Sequence, residues 1–279
     1  MNKALLVGIN KYKLPGSDLQ GCVNDVTNIR HSLLTYFGFT VKQIRVVTDE
    51  RATKKNIMTR LEWLVKGAKP GDRLVFHYSG HGSQIRDRDG DELKDRLDEI
   101  ICPHDMDWDG TYIVDDELAR IFSKIPKGAH LEVFLDSCHS GTATREMRMP
   151  EHMPERLPGE DAPAAMTVKQ RYLPPPVDIL CREEEDLPVH RLLKGMTNPS
   201  SHVLFSGCRE NQTSADAYIS KAYNGAFTYY LCKHLRDTAA AITRAELLKR
   251  VRASLKFNDF DQITQLEAPT EKKKKKVLE

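Results

Sequence analysis

The sequence predicts an α/β domain with an open, mostly parallel sheet and helices on both of its faces. Two observations lead to this prediction: short apolar runs of strand length recur along the chain, and amphipathic helical patterns separate them. The runs are largely continuous rather than alternating, which is typical of parallel strands buried on both faces. Strand and helix repeated in this order indicate a doubly wound sheet.

The predicted elements follow one another regularly. The first strand is predicted at 3–9, and further apolar runs predict strands at 44–47, 73–78, 131–135 and 202–205. Apolar residues three and four apart predict helices at 24–36, 54–65, 115–125, 225–235 and 243–257. The last of these helices starts with Thr243-Arg244-Ala245-Glu246, which is a capping-box sequence.

The alternation stops between residues 141 and 199, where nine of the fourteen prolines occur. An irregular stretch of this length within a compact domain is usually functional or disordered. We therefore interpret 1–270 as one domain, which comprises a larger part (1–141), an irregular insertion (142–199) and a smaller part (200–270). Residues 271–279 are excluded from the fold as a basic tail and partly an expression scar.

Composition excludes several classes of protein. The 279 residues are 29% charged and 40% apolar, which excludes a chain that is disordered or fibrous throughout. No apolar stretch approaches the ~18 residues of a membrane span, and the amino terminus does not resemble a signal peptide. The six cysteines form no C-x-x-C pair, and the net charge of +2 depends on five lysines at 272–276. We expect a cytoplasmic protein without nucleic-acid or membrane partners.

Candidate catalytic residues follow two of the predicted strands. The strand at 73–78 leads into S-G-H-G-S, which contains His81, and the strand at 131–135 leads into D-S-C-H-S-G, which contains Cys138. Ligands bind at the carboxyl ends of parallel strands, and small residues let backbone N–H groups approach a substrate closely. If the two strands are neighbours, His81 and Cys138 meet at one edge of the sheet.

A cysteine beside a histidine at such an edge indicates nucleophilic catalysis. The thiolate is the nucleophile, and a nearby imidazole lowers the pKa of the thiol or accepts its proton. Each residue alone has another interpretation, Cys138 as a small buried apolar residue and His81 as a hydrogen-bonded loop residue. The flanking glycines and the spacing of 57 residues, near the ~50 of caspases, favour the catalytic pair.

Five motifs occur in a characteristic order between about residues 3 and 257. H-Y-S-G-H-G-S-Q at 77–84 and D-S-C-H-S-G at 136–141 resemble the two catalytic motifs of the metacaspases, which are caspase-like cysteine peptidases. G-C-V-N-D at 21–25, I-V-D-D at 113–116 and S-G-C-R-E-N-Q-T-S-A-D-A at 206–217 resemble the specificity, calcium-site and small-subunit segments of that family. The resemblance implies a caspase-like fold and a peptidase that cleaves after Arg or Lys.

The resemblance also assigns roles to particular residues. It implies that Cys138 is the nucleophile and His81 its partner, with the backbone N–H groups of Gly82 and Cys138 as the oxyanion hole. Carboxylates in the substrate pocket suit a guanidinium or an ammonium group. The matching pocket positions are Cys22, Asp25, Ser79 and Asp136. The sequence leaves open whether Asp25 is instead a helix N-cap and whether Asp216 orients the site or caps a turn.

An acidic region between residues 87 and 117 suggests calcium binding, since it holds thirteen acidic residues against three basic ones. By resemblance, the calcium ligands are Asp98, Asp115 and Asp116. A fourth family ligand position is occupied by Arg145, a departure from the pattern, although Glu146 is adjacent. The alternative is a solvated acidic loop in which Asp115 caps the next helix.

These features are compatible with three functions to different degrees. A cysteine endopeptidase that cleaves polypeptides after Arg or Lys is favoured, because both members of the dyad are present. We expect its chemistry to require no cofactor and its activity to be stimulated by Ca²⁺. The alternative is a catalytically weak caspase-fold scaffold that binds partners through the acidic loop and the insertion. A dinucleotide-binding protein is disfavoured, since no G-x-G-x-x-G follows the first strand.

The insertion is also predicted to contain a site at which the chain cleaves itself. It carries eight Arg and Lys residues, and nicking concentrates in loops with few backbone hydrogen bonds. Several of these residues are disfavoured as cleavage sites, because they lie near a proline, near an acidic run, close to Cys138 or close to the next strand. Lys169 and Arg171 are the predicted sites. Because no long heptad seam is present, we expect a monomer.

Overall fold

A computed structural model describes residues 1–86, 97–138, 168–180, 202–209 and 212–279. The strands are β1 (Asn2–Gly8), β2 (Ile44–Thr48), β3 (Arg73–Ser79), β4 (Gly82–Arg86), β5 (Leu97–Ile101), β6 (Ile113–Val114), β7 (His130–Asp136), β8 (Lys169–Gln170), β9 (His202–Ser206), β10 (Ala215–Ile219), β11 (Ala222–Gly225) and β12 (Gln265–Glu267). The helices are α1 (Cys22–Tyr36), α2 (Lys54–Val65), α3 (Asp115–Phe122), α4 (Val177–Leu180), α5 (Ala226–Asp237), α6 (Arg244–Phe257) and α7 (Thr270–Lys273).

A six-stranded sheet lies at the centre of the described residues, with the strand order β12-β9-β7-β3-β1-β2. All neighbouring strands run parallel except β12, which is antiparallel to β9. The predicted mostly parallel sheet is therefore confirmed. β3 and β7 are adjacent, and their register places Ser79 opposite Asp136, so the two strands end side by side.

Helices cover both faces of this sheet, as the continuous apolar runs predict. Along β1, Ala4 and Leu6 pack in a core with α1, α5 and α6, whereas Leu5 and Val7 pack in a second core with α2 and α3. Successive strand residues point to opposite faces, so a strand between two helical layers must be apolar at every position. No helix in the described ranges has both the length and the apolar character needed to cross a membrane.

Two small antiparallel sheets lie beyond the central one, and the sequence analysis did not predict them. One has the strand order β4-β5-β6, and β4 begins directly after His81. The other has the order β11-β10-β8, in which β8 comes from the insertion and pairs with β10. Their strands are short, and several carry mixed polar residues, so no long apolar run marks them. The predicted part boundaries at 141 and 199 lie outside the described residues.

The carboxyl-terminal residues are part of the fold, which corrects their exclusion as a tail. Val277 and Leu278 are buried, and the backbone N–H of Leu278 donates to a carboxylate oxygen of Glu132 at 2.7 Å. Glu132 also forms a buried ion pair with Arg244, whose Nε lies 2.9 Å from Oε1. The lysine run dominates the composition of this segment, but the two apolar residues that follow it determine where it packs.

Candidate active site

The carboxyl ends of β3 and β7 bring the two predicted catalytic residues to one edge of the sheet. Ser79 and Asp136 are directly opposite each other, and His81 and Cys138 follow them by two residues each. The backbone N–H of Gly80 donates to the carbonyl oxygen of Asp136 at 3.3 Å, which ties the two turns together. The neighbouring strands therefore place both residues where an α/β sheet binds its ligands.

His81 is held through its backbone and through one ring nitrogen. Its backbone N–H donates to the hydroxyl of Tyr12 at 2.8 Å, and its carbonyl oxygen accepts from the hydroxyl of Tyr78 at 2.6 Å. Nε2 lies 2.7 Å from the carbonyl oxygen of Ser17, while buried Nδ1 has no hydrogen-bond partner among the described residues. A carbonyl oxygen only accepts, so Nε2 carries the proton of the neutral ring. Nδ1 is therefore the nitrogen that can receive a proton.

The protonation state of His81 suits a general base. Burial lowers the pKa of the imidazole to about 4, and the positive charges of Arg171 and Lys169 act in the same direction. The hydrogen bond to the carbonyl of Ser17 opposes the shift without reversing it. At neutral pH the ring is uncharged, which is the form that accepts a proton from a thiol.

Cys138 is fully buried at the end of β7. Its sulfur accepts the backbone N–H of Ser214 and lies 3.8 Å from the carbonyl oxygen of the same residue. A second thiol, Cys208, is close by and donates to the carbonyl oxygen of Ser137 at 3.7 Å. Hydrogen bonding to Cys138, together with burial, raises the pKa of Cys208. Cys208 therefore remains a protonated thiol and does not compete as a nucleophile.

A buried arginine from the insertion fills the predicted specificity pocket. Arg171 has 0% of its surface exposed, and its Nη2 lies 2.8 Å from Oδ2 of Asp25 and 3.0 Å from Oδ1 of Asp216. Its Nη1 lies 3.2 Å from Oδ1 of Asp136 and donates to the hydroxyl of Ser79 at 2.8 Å. Three carboxylates and one hydroxyl thus surround a single guanidinium group.

The carboxylates are fixed by other donors, so the pocket has a defined shape. Asp25 accepts the backbone N–H of Gly225 at 2.9 Å, and Asp136 accepts the N–H and hydroxyl of Thr228 at 2.9 and 2.7 Å. A Cβ at Gly225 would collide with Asp136 and with Arg171, so this position requires glycine. Burial raises the pKa of Asp25 and the charge of Arg171 opposes the rise. A bound cation therefore favours the ionised pocket.

The backbone of Arg171 occupies the predicted oxyanion hole. Its carbonyl oxygen accepts the backbone N–H of Gly82 at 3.0 Å and that of Cys138 at 3.2 Å. Its own N–H donates to the carbonyl oxygen of Ser214 at 3.1 Å, and the preceding residues form β8 against β10. The peptide group after Arg171 is consequently held by the same donors that would hold a substrate carbonyl.

Other predicted site residues lie in different settings. Cys22 begins α1 and is fully buried; burial raises the pKa of its thiol, and the charge of Arg171 opposes the rise. It therefore contributes no charge to the pocket at neutral pH. Asp25 is the fourth residue of α1, whose N-cap is Gly21, so it does not cap the helix.

The three predicted calcium ligands lie in β5 and at the start of α3. Asp98 is buried in β5, whereas Asp115 and Asp116 are exposed at the start of α3. Within the described ranges, no group of three or more His, Cys, Asp or Glu side chains is placed to hold a metal ion. Arg145 and Glu146 lie outside the described residues, so the calcium site stays a prediction.

Several site residues were missed or left undecided by the sequence analysis. Asp216 is a pocket carboxylate that also accepts the backbone N–H groups of Gln20 and Gly21, at 2.7 and 2.9 Å. Ser17 acts through its carbonyl oxygen, which carries no sequence signal, and Ser214 acts both through its backbone and through its hydroxyl, which donates to Oδ1 of Asp136 at 2.5 Å. The glycine that begins the helical pattern at 225–235 was the one available hint of the constraint at Gly225.

Comparisons with known proteins identify the family. A family model described as "Metacaspase, peptidase C14 domain" matches residues 2–146. Metacaspase-1A of Aspergillus niger is 35% identical over 273 residues, which cover 91% of this chain and 67% of the relative. Metacaspase-1B of Neurospora crassa is 34% identical over 276 residues, which cover 92% of this chain and 64% of the relative. The chain thus spans about two thirds of the length of these relatives.

Solved structures with the same fold are more distant in sequence. Protein GSU0716 from Geobacter sulfurreducens has a TM-score of 0.68 at 21% identity, covering 99% of this chain and 98% of that one. Caspase-1 from Spodoptera frugiperda has a TM-score of 0.58 at 13% identity, covering 96% and 86%. These similarities show a caspase-like fold. Together with the family model and the curated relatives, they show that the chain belongs to the metacaspase family of C14 cysteine peptidases.

Proposed function

We propose that the protein is an endopeptidase that hydrolyses peptide bonds after Arg or Lys, with Cys138 as nucleophile and His81 as base. The observation that best supports the proposal is the position of Arg171. Its guanidinium group lies among three carboxylates while its carbonyl oxygen accepts the N–H groups of Gly82 and Cys138. This is how the residue before a cleaved bond must sit, with its side chain recognised and its carbonyl polarised.

The reaction follows from these positions. The sulfur of Cys138 attacks the carbonyl carbon, its proton passes to Nδ1 of His81, and the oxyanion is stabilised by the N–H groups of Gly82 and Cys138. The carbon–nitrogen bond then breaks, and His81 returns the proton to the leaving amine. Water hydrolyses the thioester, which releases the new carboxylate and regenerates the thiol.

The same geometry selects a bond for self-processing. Of the two predicted sites, Arg171 occupies the pocket, whereas Nζ of Lys169 donates to the carbonyl oxygen of Asp18 at 2.9 Å. The proposal is therefore cleavage between Arg171 and Tyr172. Until that bond is cut and the segment leaves, residues 169–173 fill the cleft, so processing precedes hydrolysis of other polypeptides.

Calcium stimulation, the monomeric state and a cytoplasmic setting remain predictions. No step of the proposed reaction passes through calcium, and its effect is tested by adding or chelating the ion. The five cysteines in the described residues are free thiols, which suits a reducing compartment. Light scattering tests the monomer, and a dimer that persists on dilution would contradict it.

A panel of short fluorogenic peptides tests the proposed specificity. The peptides differ only in the residue before the bond, which is Arg, Lys, Gln or Asp, and each is assayed with and without Ca²⁺. We expect hydrolysis after Arg and Lys, at least tenfold slower hydrolysis after Gln, and none after Asp, because buried carboxylates repel it. Cys138→Ala is the matched control. Preference for Asp, or hydrolysis unaffected by Cys138→Ala, would overturn the proposal; a scaffold would hydrolyse none of the peptides.

A further inference from the structure

The two residues after the proposed cleavage site are also held by the protein. The backbone N–H of Leu173 donates to the carbonyl oxygen of Gly82 at 3.0 Å, and its carbonyl oxygen accepts the hydroxyl of Ser83 at 2.5 Å. Ser83 is fully buried, and Tyr172 forms a parallel bridge with Gly82. The segment after the bond therefore lies along the start of β4 as an added strand.

The side chain of Leu173 is buried in an apolar pocket. It is 7% exposed and belongs to the same core cluster as Ile85 of β4 and Ile101 of β5. The next residue, Pro174, is exposed, and Gln170 on the other side of Arg171 is only half-buried. Leu173, two residues beyond Arg171, is thus the position after the bond at which a large apolar side chain is buried.

We propose that this pocket is a second specificity site, which takes a large aliphatic residue at the second position after the cleaved bond. The inference rests on the proposed function and narrows its substrate class. The preferred substrates are extended peptides with Arg before the bond and a leucine-like residue two positions after it.

Gly82 provides a physical link between the two specificity sites. Its N–H donates to the carbonyl oxygen of Arg171 while its carbonyl oxygen accepts the N–H of Leu173. Seating Leu173 on β4 therefore aligns the peptide group that is attacked, because Gly82 contacts the carbonyl oxygen of Arg171 before the bond and the N–H of Leu173 one residue beyond it. Recognition after the bond is expected to change kcat/KM for cleavage, as well as affinity.

Separate peptides test this pocket without disturbing the fold. The parent peptide is internally quenched Val-Lys-Gln-Arg-Tyr-Leu-Pro-Pro, assayed with self-processed enzyme against variants with Ala or Asp in place of Leu. We expect kcat/KM to fall at least tenfold with Ala and further with Asp, because a buried leucine side chain is lost or replaced by a charge. A control peptide with Ala in place of the first Pro, whose counterpart is exposed, is expected to stay within twofold.

The outcomes separate this inference from the proposed function. Equal kcat/KM for Leu, Ala and Asp peptides, with short fluorogenic Arg substrates still hydrolysed, would overturn the second pocket alone. If no Arg substrate of either kind is hydrolysed, the proposed function falls and this inference falls with it.

A variant of the pocket gives an independent measurement. Short fluorogenic substrates end at the cleaved bond and cannot reach Ser83, whereas the quenched peptide can. We divide kcat/KM for the quenched peptide by kcat/KM for the short substrate. Ser83→Ala is expected to lower this ratio by about fivefold, because one hydrogen bond to the quenched peptide is lost. An unchanged ratio would count against the pocket.

Discussion

Asp216 offers the sharpest test of the pocket, because the sequence left its role undecided and the structure places it against a guanidinium. Its Oδ1 lies 3.0 Å from Nη2 of Arg171, and the residue is 1% exposed. Asp216→Asn keeps the size of the side chain and one oxygen acceptor, so the backbone N–H of Gly21 retains a partner. The substitution therefore removes the charge and the acceptor of the Gln20 backbone N–H, and a substrate without a charge is needed to separate the two effects.

The expected magnitude follows from the kind of contact that is lost. A hydrogen bond to a charged group is worth about 1.5–3 kcal/mol and a neutral one about 0.5–1.5 kcal/mol. The difference between the midpoints of these ranges is about 1.3 kcal/mol, which corresponds to nearly tenfold in kcat/KM. Asp25 and Asp136 are left in place, so the preference for arginine is expected to fall rather than vanish.

Two fluorogenic peptides that differ only in Arg or citrulline before the bond measure this change. Citrulline has the shape of arginine without its charge, so the ratio of the two kcat/KM values reports the electrostatic part of side-chain recognition in the pocket. We expect Asp216→Asn to lower the ratio of kcat/KM for the Arg peptide to that for the citrulline peptide about tenfold. The kcat/KM for the citrulline peptide is expected to stay within twofold of its value in the unsubstituted enzyme. Asp18→Asn is the matched control, because its side chain is half-exposed and pairs with Lys11 at 2.7 Å. An unchanged ratio, or an equal fall for both peptides, would refute the reasoning.

Three further predictions concern the dyad, pH and stability. Cys138→Ala and His81→Ala are each expected to abolish hydrolysis, and the double variant to lose no more, because the two act as a unit; circular dichroism checks that the variants fold. Burial lowers the pKa of His81 to about 4 and the neutral ring is the base, so the self-cleavage rate is expected to fall only as pH drops through about 4. An acid limb near 6.5 in rapid pH-jump measurements would contradict this. Glu132→Gln leaves Arg244 buried without its partner and is expected to cost about 3 kcal/mol of unfolding free energy, measured by urea titration in the Cys138→Ala background. Glu246→Gln, which removes a surface pair, is the control and is expected to cost no more than about 0.5 kcal/mol.

The central sheet could be predicted closely because its strands are apolar throughout. The run at 73–78 corresponds to β3, Arg73–Ser79, and the run at 131–135 to β7, His130–Asp136. The small antiparallel sheets were not predicted, because β10 and β11 are short and carry polar residues such as Asp216 and Asn224. Their positions depend on pairing with other strands, which a local pattern does not contain.

The candidate site was predictable where it depends on strand ends and on the family motifs. His81, Cys138, Asp25 and Asp136 follow directly from those features, whereas the role of Asp216 does not. Which basic residue fills the pocket could not be derived, because Lys169 and Arg171 lie two residues apart in the same irregular stretch and the path of the backbone decides which of them reaches the pocket. That path is set by pairing with β10 and by burial of Leu173.

The most direct test of the account is to sequence the new amino termini that form when the purified protein is incubated. We expect one early terminus, beginning at Tyr172, that is absent in Cys138→Ala and in Arg171→Gln. Lys169→Gln, whose Nζ contacts only the carbonyl oxygen of Asp18 among the hydrogen bonds of the described residues, is expected to leave the cut in place. A first terminus at Gln170 or elsewhere in the chain, or the same cut in Cys138→Ala, would contradict the account.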